Sequence, residues 1–220
     1  MDLQPTAQSG VYTDGAWLYT RSLVPGRVVY GETVLRDHGV EYRSWDANRS
    51  KLAAYLKRGG RVWPFTPSSA VLYLGAGSGT TVSHVSDLCP RGTIVAVEIS
   101  PRVFRDLVTV AESRPNLVPV LADATRPDTY ASHAGTVDVL YQDVAQRDQV
   151  GIFLRNERCL RSGGVGWLML KARSVDSAAR PPDVYAESGE ALRNAGFDIL
   201  DERPLDPYQE DHCAFVVRKR

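Results

Sequence analysis

One glycine-rich loop and four ionisable side chains carry the chemistry this sequence could perform. The loop is Leu72-Tyr73-Leu74-Gly75-Ala76-Gly77-Ser78-Gly79-Thr80-Thr81. It follows a short apolar run and opens a helical pattern. In that context free N–H groups at a helix N-terminus meet a ligand, and glycine lets the backbone pass close to it. A Gly-x-Gly-x-Gly run alone names no cofactor. Two carboxylates sharpen it. Glu98 ends the second apolar run, 23 residues after Gly75, where an acid can hold both hydroxyls of a ribose. Asp123 follows the third run, in Ala122-Asp123-Ala124, where an acid can contact an adenine amino group. No lysine follows Gly79, which argues against a nucleoside triphosphatase. An adenosine cofactor without phosphates fits at least as well as a nicotinamide dinucleotide.

The four side chains are Lys51, Asp143, Lys171 and His212. In open α/β sheets ligands sit beyond the carboxyl ends of the strands. Asp143 follows the apolar run 137–141, and Lys171 ends the run 165–170. If the last strand, 214–217, is antiparallel, its beginning at Asp211-His212 falls on the same edge. Lys51 falls in the first turn of a helix read over 48–56, with Asn48 as expected N-cap and Gly59-Gly60 as the stop. The positive end of a helix dipole disfavours an ammonium, which suits a lysine that must give or take a proton. Singly, Lys51 reads equally as a solvated helix lysine, His212 as a hydrogen-bonded structural histidine and Asp143 as a helix cap. Gathered at one edge, they make a set that can activate a weak nucleophile.

The elements that must position these groups follow from pattern and length. The chain has 220 residues, 43% of them hydrophobic, enough for one cored domain or one domain with a small appendage. Residues 11–45 read as short strands, at 11–13, 16–20, 28–30 and 40–45, with Asp14-Gly15 as a two-residue hairpin turn. From residue 70, apolar runs at 71–74, 94–97, 117–121, 137–141, 165–170, 197–200 and 214–217 alternate with helical patterns near 80–88, 101–113, 148–160 and 184–195. Ser100-Pro101 is a typical helix start. Near-continuous apolar strands alternating with helices mean an open, mostly parallel sheet covered on both faces. The expected division is a small β-rich region over 1–47 and an α/β domain over 48–220.

Charge and cysteine content limit the function classes. There are 26 basic and 26 acidic residues, a net charge of zero. A protein gripping nucleic acid unaided is usually basic. Residues 1–70 carry nine basic and six acidic groups, residues 71–150 carry six and nine, and the remainder is balanced. Cys89, Cys159 and Cys213 are too far apart for a zinc motif, a redox pair or a disulfide framework, so no metal site is expected and a reducing cytoplasm is. No apolar run approaches the ~18 residues of a membrane span, and residues 1–10 lack the basic and apolar regions of a signal peptide.

The words around these residues closely resemble fibrillarin, in its archaeal form. They are Arg49-Ser50-Lys51-Leu52, Ser78-Gly79-Thr80-Thr81-Val82-Ser83-His84, Glu98-Ile99-Ser100-Pro101-Arg102, Tyr141-Gln142-Asp143-Val144-Ala145-Gln146, Lys171-Ala172-Arg173-Ser174-Val175-Asp176, and Pro207-Tyr208 followed by Asp211-His212. The resemblance runs from about Val11 to Val217. It implies a Rossmann-like S-adenosylmethionine-dependent methyltransferase fold, with a seven-stranded, mostly parallel sheet and a small β-rich N-terminal region. It implies S-adenosylmethionine as cofactor, held by Gly75, Gly77, Thr80, Thr81, Glu98, Ile99, Asp123, Ala124, Asp143, Val144, Ala145 and Gln146. It implies a Lys51-Asp143-Lys171-His212 catalytic set for 2′-O-methylation of ribose in rRNA and tRNA. In the expected arrangement Asp143 holds Lys171, which takes or orients the 2′-proton, while Lys51 and His212 hold the hydroxyl and its phosphate. The implied partners are a box C/D guide RNA, a Nop-family scaffold and a kink-turn-binding, ribosomal-protein-like component, which would account for the neutral charge. Arg147 stands where proline commonly follows this motif. The competing readings are a non-catalytic subunit of an RNA–protein particle, another S-adenosylmethionine methyltransferase, and a dinucleotide-dependent dehydrogenase.

Overall fold

The computed structural model describes residues 3–220 as two sheets with helices packed about the larger one. The chain runs β1 (Gln4–Pro5), β2 (Val11–Thr13), β3 (Leu18–Arg21), β4 (Val34–Asp37), β5 (Val40–Trp45), α1 (Lys51–Lys57), β6 (Ala70–Leu74), α2 (Thr80–Leu88), β7 (Thr93–Glu98), α3 (Pro101–Ala111) and β8 (Leu117–Leu121). It continues through α4 (Ala131–Ala134), β9 (Val137–Gln142), α5 (Gln149–Asn156), β10 (Leu160–Lys171), α6 (Ala172–Val175), α7 (Pro181–Asn194), β11 (Phe197–Pro204) and β12 (His212–Lys219).

The first five strands form one antiparallel sheet in the order β1-β2-β3-β5-β4. The other seven form the order β11-β12-β10-β9-β6-β7-β8, in which β12 alone runs against its neighbours. The alternation of strand side chains divides the core. Val71 and Tyr73 of β6 pack with Leu52 of α1 and Val82 and Val85 of α2. Leu72 and Leu74 of the same strand pack on the opposite face with Ile152 and Phe153 of α5 and Leu192 of α7. This is the two-face burial that the apolar runs foretold.

A buried ionic cluster fixes the small sheet to α2. Arg43 of β5 is fully buried, with Nε 2.6 Å from Glu32 Oε1 and Nη1 2.7 Å from Asp87 Oδ2. Asp87 Oδ1 takes Arg114 Nη1 at 2.7 Å. Its other oxygen accepts from the Thr20 hydroxyl at 2.8 Å. Since that hydroxyl donates its proton to Asp87, it must accept from His84 Nδ1–H, 2.7 Å away. Complete burial and the cations Arg43 and Arg114 hold the His84 ring well below its ordinary pKa. The ring stacks on Trp45 at 4.9 Å, and its Nε2 lies 2.7 Å from the Tyr30 hydroxyl oxygen, which also lies 2.9 Å from the Ser44 carbonyl oxygen.

Local hydrogen bonding moved several elements from their expected places. Residues 28–30 form no strand, because Glu32 takes the N–H groups of Val29 and Tyr30 that a ladder would need. The strand lies instead at β4, which the sequence pattern did not mark. The β2–β3 hairpin closes over four residues rather than two, since the Asp14 carboxylate captures the N–H groups of Ala16 and Trp17. Asn48 does not cap α1: its backbone and side-chain N–H groups turn back to Asp46 Oδ1. Ser50 caps it, accepting from Ala53 N–H. The pattern near 148–160 ends as helix at Asn156, whose side chain donates to Ala124 and Ile152 carbonyls, and β10 starts at Leu160 with an irregularity before Val165.

Candidate active site

The four sequence-selected ionisable residues meet at the carboxyl edge of the large sheet. Lys51 is the first residue of α1, and Ser50 fixes that helix start. Ser50 Oγ accepts from Trp45 Nε1–H at 2.9 Å and from the Thr81 hydroxyl at 3.0 Å, as well as capping the helix. From there Lys51 Nζ reaches Asp143 Oδ1 at 2.7 Å, with the two side chains 18% and 21% exposed. Asp143 follows β9 and is anchored by its own N–H, which donates to the Leu74 carbonyl at 2.9 Å. Lys51 is thus the partner of Asp143, and the expected Asp143–Lys171 pair is absent among the described residues. Helix α1 approaches the sheet edge closely enough to claim that carboxylate.

Lys171 is held by its backbone. Gln149, buried at the start of α5, accepts from Lys171 N–H at 2.9 Å and donates to the Lys171 carbonyl at 3.1 Å. The Lys171 ammonium has no hydrogen-bond partner among the described residues. Opposite it in the antiparallel ladder stands His212, as the reversed last strand requires. His212 Nδ1 lies 2.6 Å from the Glu210 carbonyl oxygen. A carbonyl only accepts, so Nδ1 carries the proton and Nε2 keeps its lone pair. Burial first, then the positive charges of Lys51 and Lys171, lower the imidazole pKa, against the opposing pull of Glu210 and Asp143. The ring is therefore neutral at pH 7, with an acceptor nitrogen in the site.

Beside this edge lies a cavity of about 350 Å³, lined by Gly75, Gly77, Glu98, Ile99, Ala124 and the run Asp143 to Gln146. Gly75 must be glycine here. Its φ is +80°, and a Cβ would fall 2.2 Å from the Asp143 carbonyl oxygen. Glu98 is pinned by its own surroundings, with Oε2 accepting from Gly77 N–H at 2.9 Å and Oε1 from Ser100 N–H at 2.8 Å. Each oxygen retains a lone pair for a ribose hydroxyl. No arginine or lysine lines the cavity, whereas two carboxylates do. That donor set suits an adenosine bearing a cationic group and suits a pyrophosphate poorly.

Three of the expected cofactor residues are not part of this lining. Thr80 faces a neighbouring groove of about 570 Å³. Thr81 is buried and bonded to Ser50, so it serves the placement of Lys51. Asp123 Oδ1 accepts from Thr125 N–H at 2.8 Å and does not line the cavity, although Ala124 does. Sequence reasoning missed Val97 and Ala122, which complete the lining. It also missed Ser50 and Gln149, which position the two lysines. A polar residue at the head of each helix was the available signal.

A seven-stranded sheet with one reversed strand and an adenosine-sized cavity beyond a glycine loop define a class, the Rossmann-like methyltransferases. The family model described as Fibrillarin matches residues 5–220. The fibrillarin-like rRNA/tRNA 2′-O-methyltransferase of Pyrococcus horikoshii is 46% identical over 217 residues, which span 96% of this chain and 95% of that protein. Aeropyrum pernix fibrillarin, solved in complex with natively bound S-adenosyl-L-methionine, matches with a TM-score of 0.91 at 44% identity, covering 99% of this chain and 98% of that one. A chain of a fibrillarin/Nop5p complex matches with a TM-score of 0.90 at 36% identity, covering 97% and 99%. The chain belongs to the fibrillarin family.

Proposed function

We propose that this chain methylates the 2′-hydroxyl of ribose in rRNA and tRNA, using S-adenosylmethionine. The observation that carries this reading is the gathering of Lys51, Asp143, Lys171 and His212 beside a cation-free, adenosine-sized cavity. When bound, S-adenosylmethionine supplies an electrophilic methyl group on a sulfonium. Glu98 would hold the cofactor ribose, and Ile99, Ala124 and the run Asp143 to Gln146 would line the rest of its site. Asp143 balances the charge of Lys51, so the cationic cofactor meets no net repulsion there.

Towards the acceptor RNA, the Lys171 ammonium donates to the ribose hydroxyl or to the phosphate next to it. His212 Nε2 takes the 2′-hydroxyl proton as that oxygen bonds to the methyl carbon and the carbon–sulfur bond breaks, its electron pair leaving with a neutral thioether, and the imidazole passes the proton to water. Most of the acceleration comes from holding the hydroxyl in line, since methyl transfer depends on a near-attack geometry. The test is single-turnover methyl transfer with Lys171→Arg and His212→Asn. General-base loss costs roughly 10²–10⁴-fold, so His212→Asn falls by at least 100-fold while Lys171→Arg retains a tenth or more of the rate. A His212→Asn rate within threefold of the parent would return the base role to Lys171.

The chain's neutral charge supports a division of labour. A box C/D guide RNA selects the target, and a Nop-family scaffold with a kink-turn-binding, ribosomal-protein-like component holds the particle together. Three buried free cysteines suit a reducing cytoplasm. Among the described residues no helix is long and apolar enough to cross a membrane.

A further inference from the structure

A second, acidic depression lies beside the active edge, between the start of α7 and the β11–β12 connection. Its volume is about 440 Å³. Pro181, Tyr185, Glu202, Pro204, Asp206 and Asp211 are among the residues that line it. No cation lines it. Asp211 Oδ2 is engaged by Arg173 at 3.0 Å, and Glu202 has Arg193 only at 3.9 Å. Asp206 is exposed and has no ionic partner among the described residues. Tyr185 is 7% exposed, yet its buried hydroxyl has no hydrogen-bond partner among the described residues. Burial, with Asp206 and Asp211 nearby, keeps that phenol protonated.

We propose that this depression is a socket for an arginine side chain of a protein partner. The inference rests on the reading of this chain as one subunit of a protein–RNA particle. The socket's chemistry selects the occupant. Carboxylates with free lone pairs exclude a phosphate and so exclude the RNA backbone. A guanidinium donates in a plane to several carboxylates at once, and its flat face packs on proline and tyrosine rings. It also supplies a donor to the unpartnered Tyr185 oxygen. Asp211 precedes His212, and the Glu210 carbonyl orients the His212 ring. A cation seated on Asp206 and Asp211 therefore braces the segment that presents the base.

The test exploits the three native cysteines, all of which are buried. Asp206→Cys introduces one exposed thiol at the rim. Its maleimide labelling is timed in the isolated chain, with guide and target RNA alone, and in the particle reconstituted from the protein components. Protection of at least tenfold by the proteins, with none from RNA, supports the socket. Equal labelling in the particle, or protection by RNA alone, overturns it. Methyl transfer measured on the same particle separates this result from the function itself, since an active particle whose introduced thiol stays open rejects only the socket. In a parallel titration, a capped Gly-Arg-Gly peptide shifts backbone amides of residues 181–186 and 202–211. The matching lysine peptide binds at least threefold more weakly, and Glu202→Gln with Asp206→Asn weakens the arginine peptide at least fivefold. Equal binding of both peptides, or indifference to the double substitution, also overturns the assignment.

Discussion

Replacing Arg43 by methionine removes one of two cations from a neutral buried cluster of two cations and two anions. Glu32 loses its ionic partner at 2.6 Å, and Ser83 Oγ loses a donor at 2.9 Å. Asp87 keeps Arg114, Thr20 and the Leu23 N–H. The stranded charge is therefore that of Glu32, which is 8% exposed. In the parent protein burial opposes its ionisation, but Arg43 and backbone N–H groups outweigh burial and hold its pKa below the usual value. Removing one partner of a buried pair costs about 3–5 kcal/mol. For a chain of this size, 1 kcal/mol shifts Tm by roughly 2–4 °C, so Arg43→Met lowers Tm by about 10 °C. Adding Glu32→Gln restores charge balance and recovers part of that loss. Circular dichroism melts at pH 7 measure both variants, in low and high salt, because a buried cluster is screened little. A shift under 2 °C for Arg43→Met, or a double variant no more stable than the single, refutes the charge argument.

Three further outcomes follow from individual contacts. Gly75→Ala places a methyl against the Asp143 carbonyl and abolishes cofactor binding by calorimetry, whereas Gly77→Ala, with no atom within 4 Å of its Cβ, meets only backbone strain at φ +58°. That strain is about 1–2 kcal/mol, roughly tenfold in Kd. His84 is neutral when folded and protonates readily when unfolded, so its pairing contributes stability at neutral pH that is lost as pH falls through 6.5. The stability gap between the parent and His84→Asn therefore narrows by about 1 kcal/mol from pH 6.5 to 5.5 in urea titrations. Tyr185→Phe deletes a buried hydroxyl that has no partner among the described residues, so its Tm equals or exceeds that of the parent.

Legibility in the sequence followed the scale of the signal. The inner strands of the large sheet were readable because both faces are buried, and runs such as Val71 to Leu74 have no polar position to mislead. The reversal of the last strand brought His212 to the same edge as Lys171, as expected, and the ladder sets the two opposite one another. What escaped was set by side chains bonding to nearby backbone: Glu32 unmade one strand, and Asp46 drew Asn48 away from the helix start. In the site, type and position of all four ionisable residues were legible, but their pairing was not. Whether Asp143 takes Lys51 or Lys171 depends on how α1 docks. That docking is governed by Trp45, Ser50 and Thr81, three residues from separate elements. Thr81 was expected as a ligand contact, and its place in the glycine loop gave no sign that its hydroxyl also bonds Ser50 and so serves the placement of Lys51.

The most direct measurement is transfer of labelled methyl from S-adenosylmethionine to a guide-paired RNA in the reconstituted particle. The selected nucleotide is prepared with ribose in one sample and with 2′-deoxyribose in the other, and cofactor binding is titrated in both. The account predicts methylation of the ribose target and none of the deoxy target, with equal cofactor affinity. Methylation of the deoxy target, or no transfer to ribose with the cofactor bound and the particle assembled, would contradict it.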